Sequence, residues 1–229
     1  MTKPRIKLIN HLLNKSKNKI YLEIGVEKGL NFFRVNARKK IGVDPYFIIS
    51  PLTKMRHVKN SLFNYKLFPK TSDAFFAEDS NSVFLSNKFD VAFIDGLHTY
   101  EQTFLDIKNA LEFMAEDGVI IVHDCLPKNE AAGIKSLDEA RKHSTFQGAW
   151  NGDVFKSMIH INAIHDDLEI FVIDTDHGLG VIRKGVNKKL DYDINKLNDM
   201  SFAEFDKNKN DYLNLKPASY LQEFIDNES

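Results

Sequence analysis

Four short apolar runs, separated by stretches with helical spacing, constrain most of what this chain can fold into. They are KIYLEIG (Lys19–Gly25), KIGVD (Lys40–Asp44), FDVAFIDG (Phe89–Gly96) and GVIIVHD (Gly118–Asp124). The last two are continuously apolar before their polar ends, as a strand covered on both faces requires. Strand and helix patterns alternate through residue 124, which predicts an α/β fold: a Rossmann-like open sheet, mostly parallel, with right-handed crossovers. After that point the alternation stops. LEIFVIDTDHGLGVIRK holds two apolar runs around Asp174 to Gly178, a hairpin signal that predicts an antiparallel C-terminal pair at the sheet edge.

The remaining elements follow from spacing. Ile6, Ile9, Leu12 and Leu13 predict a leading amphipathic helix over residues 5 to 14, and LNFFRVNARKK carries a helical pattern after the first strand. A helix is expected near Leu52 to Phe63 and a strand at Tyr65 to Phe68. Phe104, Ile107, Leu111 and Met114 predict a helix that Gly118 terminates, and Gly152 to Asn162 reads as a helix capped by Asp153. One domain over residues 1–229 is the simplest organisation, with a leading helix (1–18), an acceptor-site loop (125–151) and a C-terminal appendage (185–229).

Composition narrows the class. The 229 residues are 43% apolar with 18 Phe, ample for a full-sized core. Cys125 is the single cysteine, so an intrachain disulfide framework and a Cys-rich zinc site are excluded, and a reducing, cytoplasmic setting is expected. No apolar run approaches the roughly 18 residues of a bilayer span. The net charge of −1 hides a split: residues 1–70 hold 16 basic and 3 acidic side chains, the remainder 15 and 29. The basic part includes the first two strands and so belongs to the fold. The acidic part supplies most of the strand ends, which argues against nucleic acid as a substrate.

In an open parallel sheet, ligands bind beyond the carboxyl ends of the strands. Those ends are polar here: Glu23-Ile24-Gly25-Val26-Glu27-Lys28-Gly29, then Asp44, then Ser72-Asp73 after the third strand, Asp95-Gly96-Leu97-His98, and His123-Asp124. Gly25 and Gly29 permit a tight turn and close backbone approach to a ligand. Asp44 stands 19 positions after Gly25, about where a dinucleotide fold places the carboxylate that takes both ribose hydroxyls. The third glycine of Gly-x-Gly-x-x-Gly is missing, so a ligand with a ribose and no phosphates fits better than a dinucleotide.

These segments together resemble the class I S-adenosylmethionine-dependent methyltransferases, and within them the small glycan and natural-product O-methyltransferase-like group. YLEIGVEKG is similar to the first motif, IGVDP to the acidic second, and FDVAFIDGLHTYE with DGVIIVHDC to the fourth- and fifth-strand motifs. WNGDVFK (Trp150–Lys156) and DHGLGVIRK (Asp176–Lys184) are similar to late segments of the group. The resemblance implies the seven-stranded architecture of that class and S-adenosyl-L-methionine as cofactor. It implies that Glu23, Gly25 and Gly29 shape the pocket for the methionine end, Asp44 holds the ribose, Ser72 and Asp73 lie against the adenine, and Asp95 adjoins the cofactor. Asn31 departs from the small hydroxyl residue often found at its position. The implied partner is a small hydroxylated acceptor, a sugar or secondary metabolite, with no nucleic acid and no membrane span; a homo-oligomer is left open.

Methylating an alcohol requires removal of its proton. His98 is the expected base, beside Asp95 in one strand-end turn, since imidazole titrates near neutrality. Related O-methyltransferases hold a divalent cation at the ends of the fourth and fifth strands, positions that match Asp95, His123 and Asp124 here. Magnesium or manganese is the cation those donors suit. Two other readings of the same residues are a metal-dependent hydrolase and a non-catalytic cofactor-binding module.

Overall fold

The structure is a computed structural model and describes residues 2–56 and 64–227. Among these, eight strands form: β1 (Ile20–Ile24), β2 (Lys39–Val43), β3 (Tyr65–Phe68), β4 (Phe89–Ile94), β5 (Met114–Val122), β6 (Leu168–Ile173), β7 (Leu179–Lys184) and β8 (Leu215–Lys216). Hydrogen bonding orders them β3-β2-β1-β4-β5-β7-β6-β8 in one sheet. β1 pairs in parallel with β2 and β4, β2 with β3, and β6 runs antiparallel to β7. The α/β, Rossmann-like open sheet is therefore present. It has one strand more than the seven expected: β8, two residues long, lies parallel to β6 outside the hairpin.

The chain forms two compact units that interleave in sequence, Met1–Gly96 with Asp106–Ile121, and Leu97–Leu105 with Val122–Ser229. In the first, α1 (Pro4–Lys15) buries Ile6, Leu8, Ile9, Leu12 and Leu13. Each such side chain contributes roughly 1.5–3 kcal/mol by leaving water. β1 and β4 are buried at every position, as strands covered on both faces must be.

Four expectations need correction or completion. The segment after β1 is a set of turns and no regular helix. Phe33 N and Val35 N do bond back to Gly29 O and Asn31 O at 3.1 Å each. The ladder stops there because the buried Lys40 Nζ takes the carbonyls of Phe32 (3.1 Å) and Val35 (3.2 Å), while Asn36 N donates to Asn10 Oδ1 at 2.7 Å. Of the helix expected near Leu52 to Phe63, α2 (Pro51–Arg56) is present and 57–63 lies outside the described residues. After α3 (Ser72–Glu78) and α4 (Ser80–Val83), the long helix α5 (Tyr100–Glu112) ends before Gly118, which sits inside β5.

The fourth concerns Asp153. Past α6 (Leu137–Lys142), α7 (Phe155–Ile164) is preceded by Val154, whose side chain accepts nothing. Asp153 Oδ1 instead accepts from Tyr100 N at 2.8 Å, at the start of α5. The second unit is completed by the β6–β7 hairpin, in register from Leu168↔Lys184 to Ile173↔Leu179, and by α8 (Phe202–Tyr212) and α9 (Tyr220–Asn227). Phe205 of α8 meets Phe155 of α7 with ring centroids 4.1 Å apart, and Phe224 of α9 packs on Phe171 of β6.

Candidate active site

In the first unit, the carboxyl ends of β1, β2 and β4 converge. Gly25 has φ +86, donates its amide to Val43 O at 2.9 Å, and lies so close to the end of β4 that an added Cβ would be 1.9 Å from Asp95 O. Only glycine fits there, in both conformation and space. The turn closes as Gly29 N donates to Val26 O at 2.7 Å. Asp44, which follows β2, is buried, and each of its oxygens receives one amide: Oδ2 from Glu27 N and Oδ1 from Tyr46 N, both at 2.7 Å. A carboxylate oxygen has two lone pairs, so each keeps one acceptor site. That arrangement fits a ribose, whose two hydroxyls can each donate to one oxygen. After β3, Thr71 Oγ1 accepts from Ala74 N at the start of α3, with Ser72 buried and Asp73 in the first turn.

Glu23 is buried on the same face of β1 as Tyr21, whose hydroxyl donates to Glu23 Oε2 at 2.6 Å. Burial pushes the Glu23 carboxyl up to about 8; the Tyr21 hydrogen bond opposes the rise, Asp95 adds to it, and Lys40 and Arg5 oppose it. Burial also pushes the Tyr21 phenol up and lowers Lys40 to about 8, against the pull of Glu23. Arg5 of α1 stands 3.6 Å from Asp95 Oδ2. Sequence reasoning missed Arg5, although a charge on the stripe shared with Leu8, Ile9 and Leu12 was a usable signal.

A pH prediction follows. The unfolded chain releases the Glu23 proton near 4.5, whereas the folded chain keeps it to about 8. Over that window the native state binds more protons, so stability falls as pH rises through it. Chemical denaturation at several pH values is expected to show this decline in the wild type and a shallower one in Glu23→Gln. Equal slopes for the two proteins would remove Glu23 as its source.

In the second unit the polar residues surround Asp124. Asp124 Oδ2 accepts from His123 Nδ1 at 2.8 Å and faces His98 Nε2 at 3.5 Å. Its Oδ1 accepts from Asn151 Nδ2 at 3.0 Å. The other ring nitrogen of His123, Nε2, lies 3.9 Å from Asp176 Oδ1. His123 thus has a carboxylate opposite each nitrogen, with its Nδ1 hydrogen directed at Asp124. The His98 ring stacks on Trp150, centroids 5.3 Å apart at 23°. Both His98 (φ +60) and Asp124 (φ +61) have left-handed backbones, a conformation that Asp and His adopt more readily than most side chains. Cys125 is buried, its Sγ directed at Val122 O, and has no role here. Asn151 and Asp176 lie in the two late segments that resemble the family, Trp150–Lys156 and Asp176–Lys184, and neither is among the site residues expected from the sequence.

Asp44 and the Gly25 turn offer a ribose site at the ends of a parallel sheet, and His98 with Asp124 offers an imidazole–carboxylate pair suited to proton transfer. Residues 22–125 match a family model described as a methyltransferase domain. No curated protein sequence matches the chain. Among solved structures, the fold is similar to the cofactor-bound Rv0187 from MTB (TM-score 0.57, 15% identity, 82% of each chain covered). It is also similar to the O-methyltransferase TomG from Streptomyces achromogenes, involved in tomaymycin synthesis and solved with SAM (TM-score 0.54, 16% identity, 82% of each chain). A third is an O-methyltransferase from Bacillus cereus in complex with SAH (TM-score 0.51, 15% identity, 80% of this chain and 83% of that one). Residues 22–125 are thus similar to a methyltransferase domain, and the chain shares the fold of these three structures. Among the described residues no helix is long and apolar enough to cross a membrane.

Proposed function

We propose that the chain is an O-methyltransferase acting on a hydroxyl of a small acceptor, with sugars and secondary metabolites as the acceptor class, as in the small glycan and natural-product group. The observation that carries this reading is the His98–Asp124 pair, an imidazole held 3.5 Å from a buried carboxylate. The similarity of the fold to solved O-methyltransferases supports it. When bound, S-adenosylmethionine supplies a methyl group on a positively charged sulfur. Asp44 holds the ribose through its two remaining acceptor sites, and Glu23, Gly25 and Gly29 shape the methionine end, with Ser72 and Asp73 toward the adenine and Asp95 beside the cofactor. His98 is the group that takes the hydroxyl proton, with Asp124 Oδ2 3.5 Å from its Nε2. The negative charge of Asp124 then stabilises the imidazolium.

A hydrolase reading has no support, since it leaves Asp44 and the Gly25 turn without a task. A divalent cation, for which Asp95, His123 and Asp124 are the ligands expected from the sequence, would be a second means of ionising the hydroxyl. Both are separated by incubating the chain with S-adenosylmethionine and a panel of monosaccharides, nucleotide sugars and phenols, and reading products by mass. A mass gain of one methylene on a hydroxyl acceptor is expected. Turnover that survives chelation assigns proton removal to His98, and turnover lost on chelation and restored by magnesium or manganese assigns it to a cation. No methylated product from any hydroxyl class, with cofactor bound, contradicts the O-methyltransferase reading.

A further inference from the structure

We propose that Asn151 is a positioning residue for methyl transfer: by holding Asp124 Oδ1 it keeps Asp124 Oδ2 on the imidazoles of His98 and His123. The proposal deepens the reading of His98 as the base and rests on it for its catalytic consequence. Asn151 is 1% exposed, and its side chain is spent on this cluster. Nδ2 donates to Asp124 Oδ1 at 3.0 Å and to His177 O at 3.2 Å, so both amide hydrogens are engaged. Oδ1 is buried with no hydrogen-bond partner. Turning the amide over would not satisfy it, because the carbonyl would then face the Asp124 carboxylate and two acceptors would meet. A core residue selected for packing alone has no reason to keep a buried acceptor unpaired, a state that native structures avoid.

The backbone around Asn151 is built against the same pair. Its own amide is fixed on Ala132 O at 2.9 Å. On one side Trp150 stacks on the His98 ring. On the other, Gly152 (φ +66) lies so close to His98 that an added Cβ would be 1.8 Å from His98 O. Asn151 grips the Asp124 oxygen that faces away from the histidines. Without it, the carboxylate is free to rotate between its oxygens and His98 loses a fixed counter-charge.

The test is Asn151→Leu, similar in size and without the unpaired oxygen, with Asn151→Ala as the smaller second variant. Histidine side chains labelled with nitrogen-15 are observed in the full chain at one mildly alkaline pH, without cofactor or acceptor. Among the eight histidines, the ring signals of His98 and His123 are expected to shift, while those outside this cluster and away from His177, whose carbonyl Asn151 also bonds, stay, with cooperative unfolding retained. With an acceptor from the panel above, kcat is expected to fall about 100-fold, as misplaced catalytic groups do, while KM for S-adenosylmethionine holds. Unshifted His98 and His123 signals in a folded variant overturn the proposal, as does unchanged kcat, or loss of the fold in both variants. Shifted signals in a chain that methylates no hydroxyl support the positioning and count against the O-methyltransferase reading alone.

Discussion

Asp44→Ala is expected to abolish measurable binding of S-adenosylmethionine. Hydrogen bonds to a charged group are worth about 1.5–3 kcal/mol each, so losing two of them weakens affinity by roughly 100-fold or more. The substitution also frees the amides of Glu27 and Tyr46, which Asp44 now binds at 2.7 Å. Asp44→Asn keeps the shape and one acceptor oxygen, yet places an NH2 where the second acceptor is needed. It is expected to lose most of the affinity while its thermal midpoint stays nearer the wild type. Equilibrium dialysis with labelled cofactor, beside a melting curve, separates lost ribose contacts from local unfolding. Unaltered affinity in both variants would place the ribose elsewhere.

Replacing His98 tests the other half. Asparagine is the suitable substitute, because His98 sits at φ +60 and Asn tolerates the left-handed region better than most side chains. His98→Asn is expected to bind S-adenosylmethionine as the wild type does and to lose about 100- to 10,000-fold in kcat, the usual contribution of a positioned general base. An acceptor that is already ionised needs no base, so a phenol of low pKa should lose less than an alkyl hydroxyl. Full activity of His98→Asn toward an alkyl hydroxyl would show that the proton leaves by another route.

Much of the fold was legible because buried parallel strands leave a plain trace: β4 reads as an unbroken apolar run, and the β6–β7 hairpin shows as two such runs around Asp174 to Gly178. The strand-end residues were legible for the same reason, since polar side chains directly after apolar runs have few other tasks. What stayed hidden depends on long-range partners. The segment after β1 has helical spacing, yet Lys40 takes the carbonyls that a helix needs, from a strand several residues on. Asp153 has the look of a cap for α7 and serves Tyr100 instead, 53 positions away. Gly118 resembles a helix stop and lies in a strand, because α5 has already closed at Glu112. Asn151 shows the same limit at the site: an asparagine between Trp and Gly reads as a loop residue until the fold brings Asp124 to its amide.

The charge asymmetry of the sequence also gains a physical meaning in the first unit. Its basic surplus includes Arg5 and Lys40, which are buried and face the acidic groups Asp95 and Glu23. Arg5 pairs with the Asp95 carboxylate at the strand ends, and Lys40 donates to the carbonyls of Phe32 and Val35.

The central claim is that the ends of β1 and β2 hold S-adenosylmethionine. Isothermal titration of the wild-type chain with S-adenosylmethionine tests it most directly. The account predicts a saturable isotherm of one cofactor per chain, competed by S-adenosylhomocysteine and lost in Asp44→Ala. The absence of any binding heat at millimolar cofactor, with dialysis likewise showing no retention, would contradict it.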